Sequence, residues 1–577
     1  MEEIVQQRVA QWLNSPISEE AKQEILVLQK PENRTELLES FYKTLEFGTG
    51  GLRGLMGIGS NRMNIYTVGM ATQGLANYIN ACFPKEENAV VVAYDSRNNS
   101  KLLAQTTANV FSANGIKVYL FQELRPTPEL SFAIRHFGCK SGVVITASHN
   151  PKEYNGYKAY WTDGAQLTPP HDKNVIAEVD RIKGIEEVKF NPVPENIISL
   201  SGEIDTLYLE AIKGLSVNPE LVKKHNDIRI VYSSIHGTGI TLVPQALKNL
   251  GFTNVSIVEA QAQPDGNFPT VVYPNPEEKE ALKMALDLGK KVDADLVMAT
   301  DPDTDRVGIA IKNPQGQFQL LNGNQTGTLI IYYLLKSHKK AQRLLPTDYM
   351  VKTIVTTDLW EKISQGFGVD CYNTLTGFKY IASLIREWEG KRRFLVGGEE
   401  SYGYMITDFV RDKDAVAACA IIAEVMAYAR EEKITPFEML LDIYKQFGFY
   451  KEDLISLTKK GMSGVAEINQ MMKDLRENPP QMLAGSPVVW MHDYQKGQSL
   501  HVPSKEEKVL NFPSSNVLQF ETADGTKVSA RPSGTEPKIK FYFSVNAPLP
   551  DTKAYAAVEK QLDEKIQRII ADMRLKA

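Results

Sequence analysis

Three carboxylates lie within five residues in the stretch Asp301-Pro302-Asp303-Thr304-Asp305-Arg306. At that spacing they repel one another, and a bound cation best relieves the repulsion. Ligands that are all oxygen favour a hard ion, so the chemistry expected of Asp301, Asp303 and Asp305 is Mg²⁺ binding. The competing reading is a solvated acidic turn. Against it stands the apolar run 296–299, which reads as a strand and would set the acids at the carboxyl edge of a sheet.

Three further loops carry chemistry-bearing residues. Thr146-Ala147-Ser148-His149-Asn150-Pro151 follows the apolar run 142–145, and Asn155-Gly156-Tyr157-Lys158 comes next. A serine where a strand ends can present its hydroxyl to a cleft, so Ser148 is a candidate nucleophile or phosphate carrier. Ser, Asn and Pro are also ordinary turn residues, and the loop read alone fits a plain turn. A triad-style pair of Ser148 with His149 is not expected, because neighbouring side chains on an extended segment point apart. No G-x-S-x-G elbow surrounds Ser148 either. The next loop, Gly397-Gly398-Glu399-Glu400-Ser401-Tyr402-Gly403, places Glu399 and Ser401 two apart. On extended backbone they would share a face and could hydrogen-bond the hydroxyls of a polyol. Arg411-Asp412-Lys413-Asp414 nearby offers cations to a phosphate. The last loop, Arg531-Pro532-Ser533-Gly534-Thr535-Glu536-Pro537-Lys538, has the composition of an anion nest reinforced by arginine. Gly50-Gly51-Leu52-Arg53-Gly54 and Arg125-Pro126-Thr127-Pro128 read as flexible and cationic. His236-Gly237-Thr238-Gly239 reads as a tight turn.

These loops need elements to position them. Residues 1–45 read as helical, with Ile4, Val5, Val9, Trp12 and Leu13 at helical spacing and Leu37, Leu38, Phe41, Tyr42 and Leu45 repeating it. Beyond them, short Val/Ile-rich runs at 89–93, 142–145, 228–232, 296–299 and 394–396 alternate with longer amphipathic stretches. That alternation signals α/β units with largely parallel sheets, whose ligands bind beyond the carboxyl ends of the strands. A polar stretch at 467–480 precedes a final region with strands expected near 517–520, 527–530 and 539–545, then a helix over 552–576. The chain has 577 residues, enough for about four domains at the usual ~150 each. With 43% hydrophobic and 23% charged residues, global disorder is excluded. A net charge of −5 gives no support to a general nucleic-acid binder. Four cysteines without a C-x-x-C pair fit a reducing compartment. The acidic N-terminus is not a secretory signal, and no run of 18 apolar residues suggests a membrane span. No Walker A sequence or complete G-x-G-x-x-G is present.

Taken together and in this order, the four loops resemble the α-D-phosphohexomutase family of phosphoglucomutases, phosphomannomutases and phosphopentomutases. The resemblance rests on T-A-S-H-N-P-x-x-Y-N-G-Y-K at 146–158, D-P-D-x-D-R at 301–306, G-E-E-S at 398–401 and R-P-S-G-T-E-P at 531–537. The G-T-G-G-L-R stretch, Thr376-Gly377-Phe378-Lys379 and Arg411-Asp412-Lys413-Asp414 are most similar to the phosphoglucomutase/phosphopentomutase branch. The resemblance implies three related α/β domains with mixed, largely parallel sheets and a smaller C-terminal α+β domain around a central cleft. The expected ranges are 1–215 with the N-terminal helices and phosphoserine loop, 216–325 with the metal loop, 326–460 with the sugar loop, and 461–577 with the phosphate loop. It further implies that Ser148 carries the phosphoryl group and, with Asp301, Asp303 and Asp305, holds Mg²⁺. Lys158 and Arg306 match positions proposed for proton transfer, and His149 accompanies Ser148 as a candidate catalytic residue. Arg53, Gly377, Lys379, Glu399, Ser401 and Lys413 would bind substrate. Arg531, Ser533, Gly534, Thr535 and Lys538 would hold the distal phosphate.

The implied reaction interconverts glucose 1-phosphate and glucose 6-phosphate through phosphoserine and a sugar 1,6-bisphosphate, which also serves as activator. Lys158 can act as a base only if burial or neighbouring cations lower its pKa. Ribose and mannose phosphates are alternative substrates. Two other classes stay open: a haloacid-dehalogenase-like phosphatase using Asp301 as nucleophile, and a non-catalytic sugar-phosphate sensor. The expected partner is a phosphosugar, with no nucleic acid or membrane, in a monomeric or dimeric cytoplasmic protein.

Overall fold

A computed structural model describes residues 2–48, 50–459, 461–533 and 538–575. The chain divides into two compact units, Met1–Gly323 with Phe378–Lys433, and Asn324–Gly377 with Ile434–Ala577.

In the first unit, helices Glu2–Asn14, Glu19–Leu28 and Arg34–Phe41 gather Val5, Val9, Trp12, Ile25 and Phe41 into a small core with Tyr66 and Ile185. Ile4 and Tyr42, which fit the helical periodicity, face outward at 48% and 40% exposure. Six strands follow: β1 (Gly51–Leu55), β2 (Ala89–Tyr94), β3 (Lys117–Phe121), β4 (Ser141–Ile145), β5 (Tyr154–Trp161) and β6 (Ile197–Leu200). They form a sheet in the order β1-β5-β4-β2-β3-β6. Pairs β2–β3, β2–β4 and β3–β6 are parallel, while β4–β5 and β1–β5 are antiparallel. Side chains alternate across a strand, so Val90, Val92 and Tyr94 join the core under helices Ile65–Cys82 and Ser100–Ala113. Val91 and Ala93 turn to the opposite face, against helix Thr127–His136. Burial on both faces explains why these strands read as continuous apolar runs.

The same logic builds a second sheet from β7 (Ile230–Ser233), β8 (Val255–Ile257), β9 (Leu296–Thr300), β10 (Val307–Lys312) and β11 (Phe318–Leu321), ordered β11-β10-β9-β7-β8. Its β7–β8 and β7–β9 pairs are parallel and the others antiparallel. The peptide between the two α/β regions is fixed: Glu424, on the buried helix Ala415–Glu431, accepts hydrogen bonds from the N–H groups of Val217 and Asn218 at 2.9 and 2.8 Å.

In the second unit, β12 (Asp348–Thr353) runs parallel to β13 (Asp370–Thr374). The first unit contains the hairpin of β14 (Arg393–Glu399) and β15 (Gly403–Ile406). The C-terminal sheet, also in the second unit, consists of β16 (Phe449–Thr458), β17 (Met482–Leu483), β18 (Ser486–Asp493), β19 (Gln498–His501), β20 (Glu506–Val509), β21 (Leu518–Thr522), β22 (Lys527–Pro532) and β23 (Lys538–Ala547). It is antiparallel throughout, ordered β16-β23-β22-β21-β18-β19-β20 with β17 on β18. Two features were not visible in the pattern. The strand β16 pairs along its whole length with β23, and the polar stretch from 467 lies mostly within the helix Gly461–Glu477. That helix buries Ile468 and Met472, too few apolar positions to stand out in a polar sequence. The terminal helix spans Tyr555–Asp572.

Candidate active site

The metal loop joins β9 to β10, whose antiparallel register returns the chain directly, Val307 opposite Thr300. The loop is held from within. One Asp301 oxygen, Oδ1, accepts the N–H groups of Asp305 and Arg306 at 3.1 and 3.0 Å. Thr304 adopts a left-handed conformation, φ +56°. Its hydroxyl meets that of Thr238 at 2.8 Å, and Thr238 donates its N–H and hydroxyl to the Pro302 carbonyl at 2.8 and 2.9 Å. The turn at 236–239, which the sequence offered only as a tight turn, is therefore a brace for the acids.

Asp301, Asp303 and Asp305 are buried, and one ligand oxygen from each lies within 4.8 Å of the others. Among the described residues, Asp303 Oδ1 and Asp305 Oδ1 have no hydrogen-bond partner. Burial and the charges of Asp303 and Asp305 hold the Asp301 carboxyl well above its ordinary range. A cluster that forces one member toward its protonated form and leaves two buried oxygens unmet suits a divalent cation. Asp301, Asp303 and Asp305 are the residues that could hold it.

Ser148 stands against this cluster. It is buried and left-handed, φ +53°, with its N–H bonded to Thr146 Oγ1 at 2.8 Å. Its hydroxyl donates to Asp301 Oδ2 at 3.0 Å, across 153 residues of sequence. The same hydroxyl lies 3.1 Å from His149 Nδ1. This corrects the expectation that the two side chains diverge: that expectation assumed extended backbone, and the positive φ brings them together. Burial, Arg306 and Arg53 keep the His149 pKa well below its usual value, so the ring is neutral.

Lys158, on β5, reaches Asp303 Oδ2 at 2.7 Å and Asp305 Oδ2 at 3.3 Å. Burial opposes its charge, but the two carboxylates outweigh burial and hold the ammonium above its ordinary range. The lowered pKa required of a base is absent in this arrangement. At Asp305, burial disfavours ionisation, and Lys413, Lys158 and Arg306 overcome it to hold the carboxyl far below its usual range. Arg306 pairs with Glu277 at 2.6 Å and stays charged despite burial.

Arg53 is on an ordered strand rather than a flexible loop. It lies opposite Gly156 in the β1–β5 ladder and donates to Asn150 Oδ1 at 3.4 Å. Gly51 allows that ladder to close, with φ +129° and a position where a Cβ would sit 1.7 Å from the Tyr157 carbonyl oxygen. Glu399 and Ser401 do not share an extended face. Glu399 ends β14 opposite Gly403, while Ser401 sits in the turn beside left-handed Tyr402, φ +66°. Lys413 is not a free cation: it bonds Asp305 Oδ2 at 3.2 Å and Asp412 Oδ1 at 3.1 Å. Arg411 is fully buried against Glu389 at 2.9 Å and is unavailable to a ligand. Lys379 is half-buried, and burial lowers its pKa against the pull of Asp172. In the second unit, Gly377 ends its segment with φ +119°. There also, Arg531 pairs with Lys540 in the β22–β23 ladder, and the Ser533 N–H donates to the Lys538 carbonyl at 2.7 Å. Gly534 and Thr535 lie outside the described residues.

Thr127 carries no signal of its own in Arg125-Pro126-Thr127-Pro128, whose composition reads as a flexible cationic loop. It begins a helix, donates its N–H to the Asp303 carbonyl at 2.9 Å, and its hydroxyl donates to Asp303 Oδ2 at 3.2 Å. Arg125 is occupied by Asp205 at 2.8 Å. The available signal was proline just inside a helix start.

Asp414 caps the helix Ala415–Glu431, accepting the Ala417 N–H at 2.9 Å. Burial pushes its carboxyl up from 3.8 to about 6, against the lowering effect of backbone N–H groups. Between those values the folded form keeps a proton that the unfolded form has lost. Stability therefore falls as pH rises from 4 to 6, by about 2–3 kcal/mol. Asp414→Asn keeps an oxygen for the cap and cannot ionise. Its melting temperature should exceed the parent's at pH 7.5, with the gap closing toward pH 4. A gap that does not change with pH would refute the assignment.

Comparisons with known proteins reach most of the chain. Family models described as phosphoglucomutase/phosphomannomutase α/β/α domains I, II and III match residues 44–186, 206–316 and 322–447. A phosphoglucomutase from Staphylococcus haemolyticus is 36% identical over 514 residues, covering 88% of this chain and 91% of the relative. One from Staphylococcus aureus is 36% identical over 516 residues, covering 89% and 92%. Among solved structures, parafusin from Paramecium in its open form, a phosphoglucomutase, superposes with a TM-score of 0.68 at 19% identity, covering 92% of this chain and 96% of that one. A phosphoglucomutase/phosphomannomutase family protein from Burkholderia thailandensis gives 0.64 at 19% identity, covering 92% and 98%.

Proposed function

Because this chain belongs to the phosphoglucomutase/phosphomannomutase family, phosphotransferases of the isomerase class, we propose that it interconverts glucose 1-phosphate and glucose 6-phosphate through phosphorylated Ser148. The observation that carries this reading is the 3.0 Å contact between the Ser148 hydroxyl and Asp301 at the rim of the buried acidic triad.

Phosphoryl transfer passes through a loose, charged transition state, so its catalysis is mainly alignment and charge stabilisation. Asp301, Asp303, Asp305 and an oxygen of phosphoserine would hold Mg²⁺, which draws negative charge from the phosphoryl group. His149, neutral and 3.1 Å from Ser148 Oγ, is placed to hydrogen-bond that oxygen and help orient it. Lys158 and Lys413 supply positive charge beside Asp305. Lys158 loses its two carboxylate partners if a cation takes them, and only then can burial lower its pKa toward that of a base. Glu399 and Ser401 would bind sugar hydroxyls, with Arg53, Gly377 and Lys379 completing the substrate contacts. Arg531, Ser533, Gly534, Thr535 and Lys538 would hold the non-reacting phosphate. A sugar 1,6-bisphosphate forms in the first half-reaction and returns its other phosphate to Ser148 in the second. The four-domain division at 215, 325 and 460 accompanies this reading.

A phosphatase with Asp301 as nucleophile is less well supported. Oδ1 of that carboxyl is engaged by two backbone N–H groups, and Oδ2 faces Ser148. Among the described residues, no helix is long and apolar enough to cross a membrane.

The test is turnover of glucose, mannose, ribose and glucosamine phosphates side by side, with Mg²⁺ and glucose 1,6-bisphosphate. Glucose phosphate should be fastest, and chelation should stop the reaction until Mg²⁺ is restored. A faster rate on mannose or ribose phosphate would move the assignment to that sugar, and turnover that survives chelation would remove the metal from the reading.

A further inference from the structure

We propose that Arg97 is a positioning residue for Ser148, and that the turn from Asp265 to Phe268 clamps it in place. The proposal rests on the reading of Ser148 as phosphoryl carrier. Arg97 is 3% exposed, and its guanidinium spends its donors on one loop. Nη2 donates to the Ser148 carbonyl at 2.6 Å and to the Asn150 carbonyl, while Nη1 donates to the carbonyls of Pro151 and Tyr154 at 2.8 and 3.1 Å. Four carbonyls of the serine loop thus converge on a single planar cation.

The loop needs such a hold. A non-glycine residue in the left-handed region costs roughly 1–2 kcal/mol and persists only when its surroundings impose it. Ser148 has φ +53°, and that conformation is what turns its hydroxyl toward Asp301. Arg97 fixes the carbonyl on the far side of that residue, so the 148–149 peptide cannot rotate without breaking a charge-assisted bond.

Arg97 is itself fixed from two sides. Asp95 accepts the Arg97 N–H at 2.9 Å and the Ser100 hydroxyl at 2.7 Å, and its other oxygen lies 3.5 Å from Arg97 Nε. From the second α/β region, the Phe268 ring lies over the guanidinium at 5.1 Å, a cation–π distance. Phe268 is 1% exposed and left-handed, φ +46°. Its turn seats directly on the Arg97–Asn98 peptide. A Cβ on Gly266 would fall 2.3 Å from the Asn98 nitrogen, and Asn98 Nδ2 donates to Asn267 Oδ1 at 3.0 Å. The region that supplies the metal acids therefore also sets the arginine that orients the serine.

Lysine cannot replace this fork, because one ammonium radiates its donors from a single point. Misplacing a reacting group by about 1 Å is enough to cost ~100-fold in rate. Arg97→Lys should lower kcat by about 100-fold, and should lower to the same extent the rate at which Ser148 gains a phosphoryl group from glucose 1,6-bisphosphate, followed by intact mass. KM for glucose 1-phosphate and the affinity for Mn²⁺ should stay within about threefold, since neither the sugar contacts nor the acids are altered. Phe268→Leu, which keeps the apolar bulk and removes the ring, should show the same signature at about 10-fold and serves if the lysine variant does not fold. Folded Arg97→Lys with unchanged kcat, a loss expressed in KM, or an unchanged Phe268→Leu protein if only that one folds, would overturn the proposal. If the parent never gains a phosphoryl group, the Ser148 reading itself falls. If parent and variant gain it equally fast, only the positioning role does.

Discussion

Ser148→Ala should abolish turnover, lowering kcat by more than about 10³-fold, while the folded state is barely disturbed. The hydroxyl is the atom that accepts and returns the phosphoryl group in the proposed cycle. In the resting protein, among the described residues, it bonds Asp301 at 3.0 Å and lies 3.1 Å from His149. Neither contact carries the loop, whose backbone is held by Arg97 and by the Thr146 hydroxyl. Alanine at φ +53° meets the same backbone cost as serine. The stability change should therefore stay within about 1 kcal/mol, visible as a small shift in melting temperature. Intact-mass measurement after incubation with glucose 1,6-bisphosphate should show a gain of about 80 Da (one PO₃H) on the parent and none on the variant. A variant that turns over normally would end the phosphoserine mechanism.

Asp301→Asn should be nearly as damaging to activity, and for a different reason. Burial and two neighbouring carboxylates already drive Asp301 toward its protonated form when the triad holds no cation. Asparagine imitates that neutral form. Its oxygen can keep the N–H groups of Asp305 and Arg306, and its amide can donate to the Ser148 oxygen, reversing the direction of that bond. The metal-free protein should therefore melt within about two degrees of the parent, or slightly higher because a like charge is gone. The parent's rise in melting temperature on adding Mg²⁺ should disappear, because an amide nitrogen facing the cation offers no lone pair to it. Activity should fall by about 10³-fold or more, since the charge that balances the serine phosphate is lost. A variant that is still stabilised by Mg²⁺ as the parent is would show that Asp301 is not a ligand.

The sequence alone determined the parts of this protein that depend on neighbours in the chain. The runs at 89–93, 142–145 and 296–299 are strands because continuous apolar stretches closed by polar loops bury both faces of a sheet. The acids 301, 303 and 305 form one cluster because five residues of tight turn leave them nowhere else to go. The loop motifs were legible for the same reason, since each is contiguous. What the pattern could not reach depends on partners far away in sequence or on the sign of a single dihedral. Ser148 and His149 approach because φ is positive at one residue, and hydrophobic periodicity carries no information about that sign. Lys158 is charged and paired because strand β5 lays it over acids 145 residues further along. Arg411 and Lys413 look like exposed cations in a list of residues, and folding buries one against Glu389 and ties the other to Asp305. Arg97 and Phe268 carry no motif, and only the packed chain sets an aromatic ring over a guanidinium that gathers four carbonyls of the serine loop. Local chemistry chose the reactive groups, and long-range packing fixed their protonation and their aim, because burial and distant charges exist only once the chain has folded.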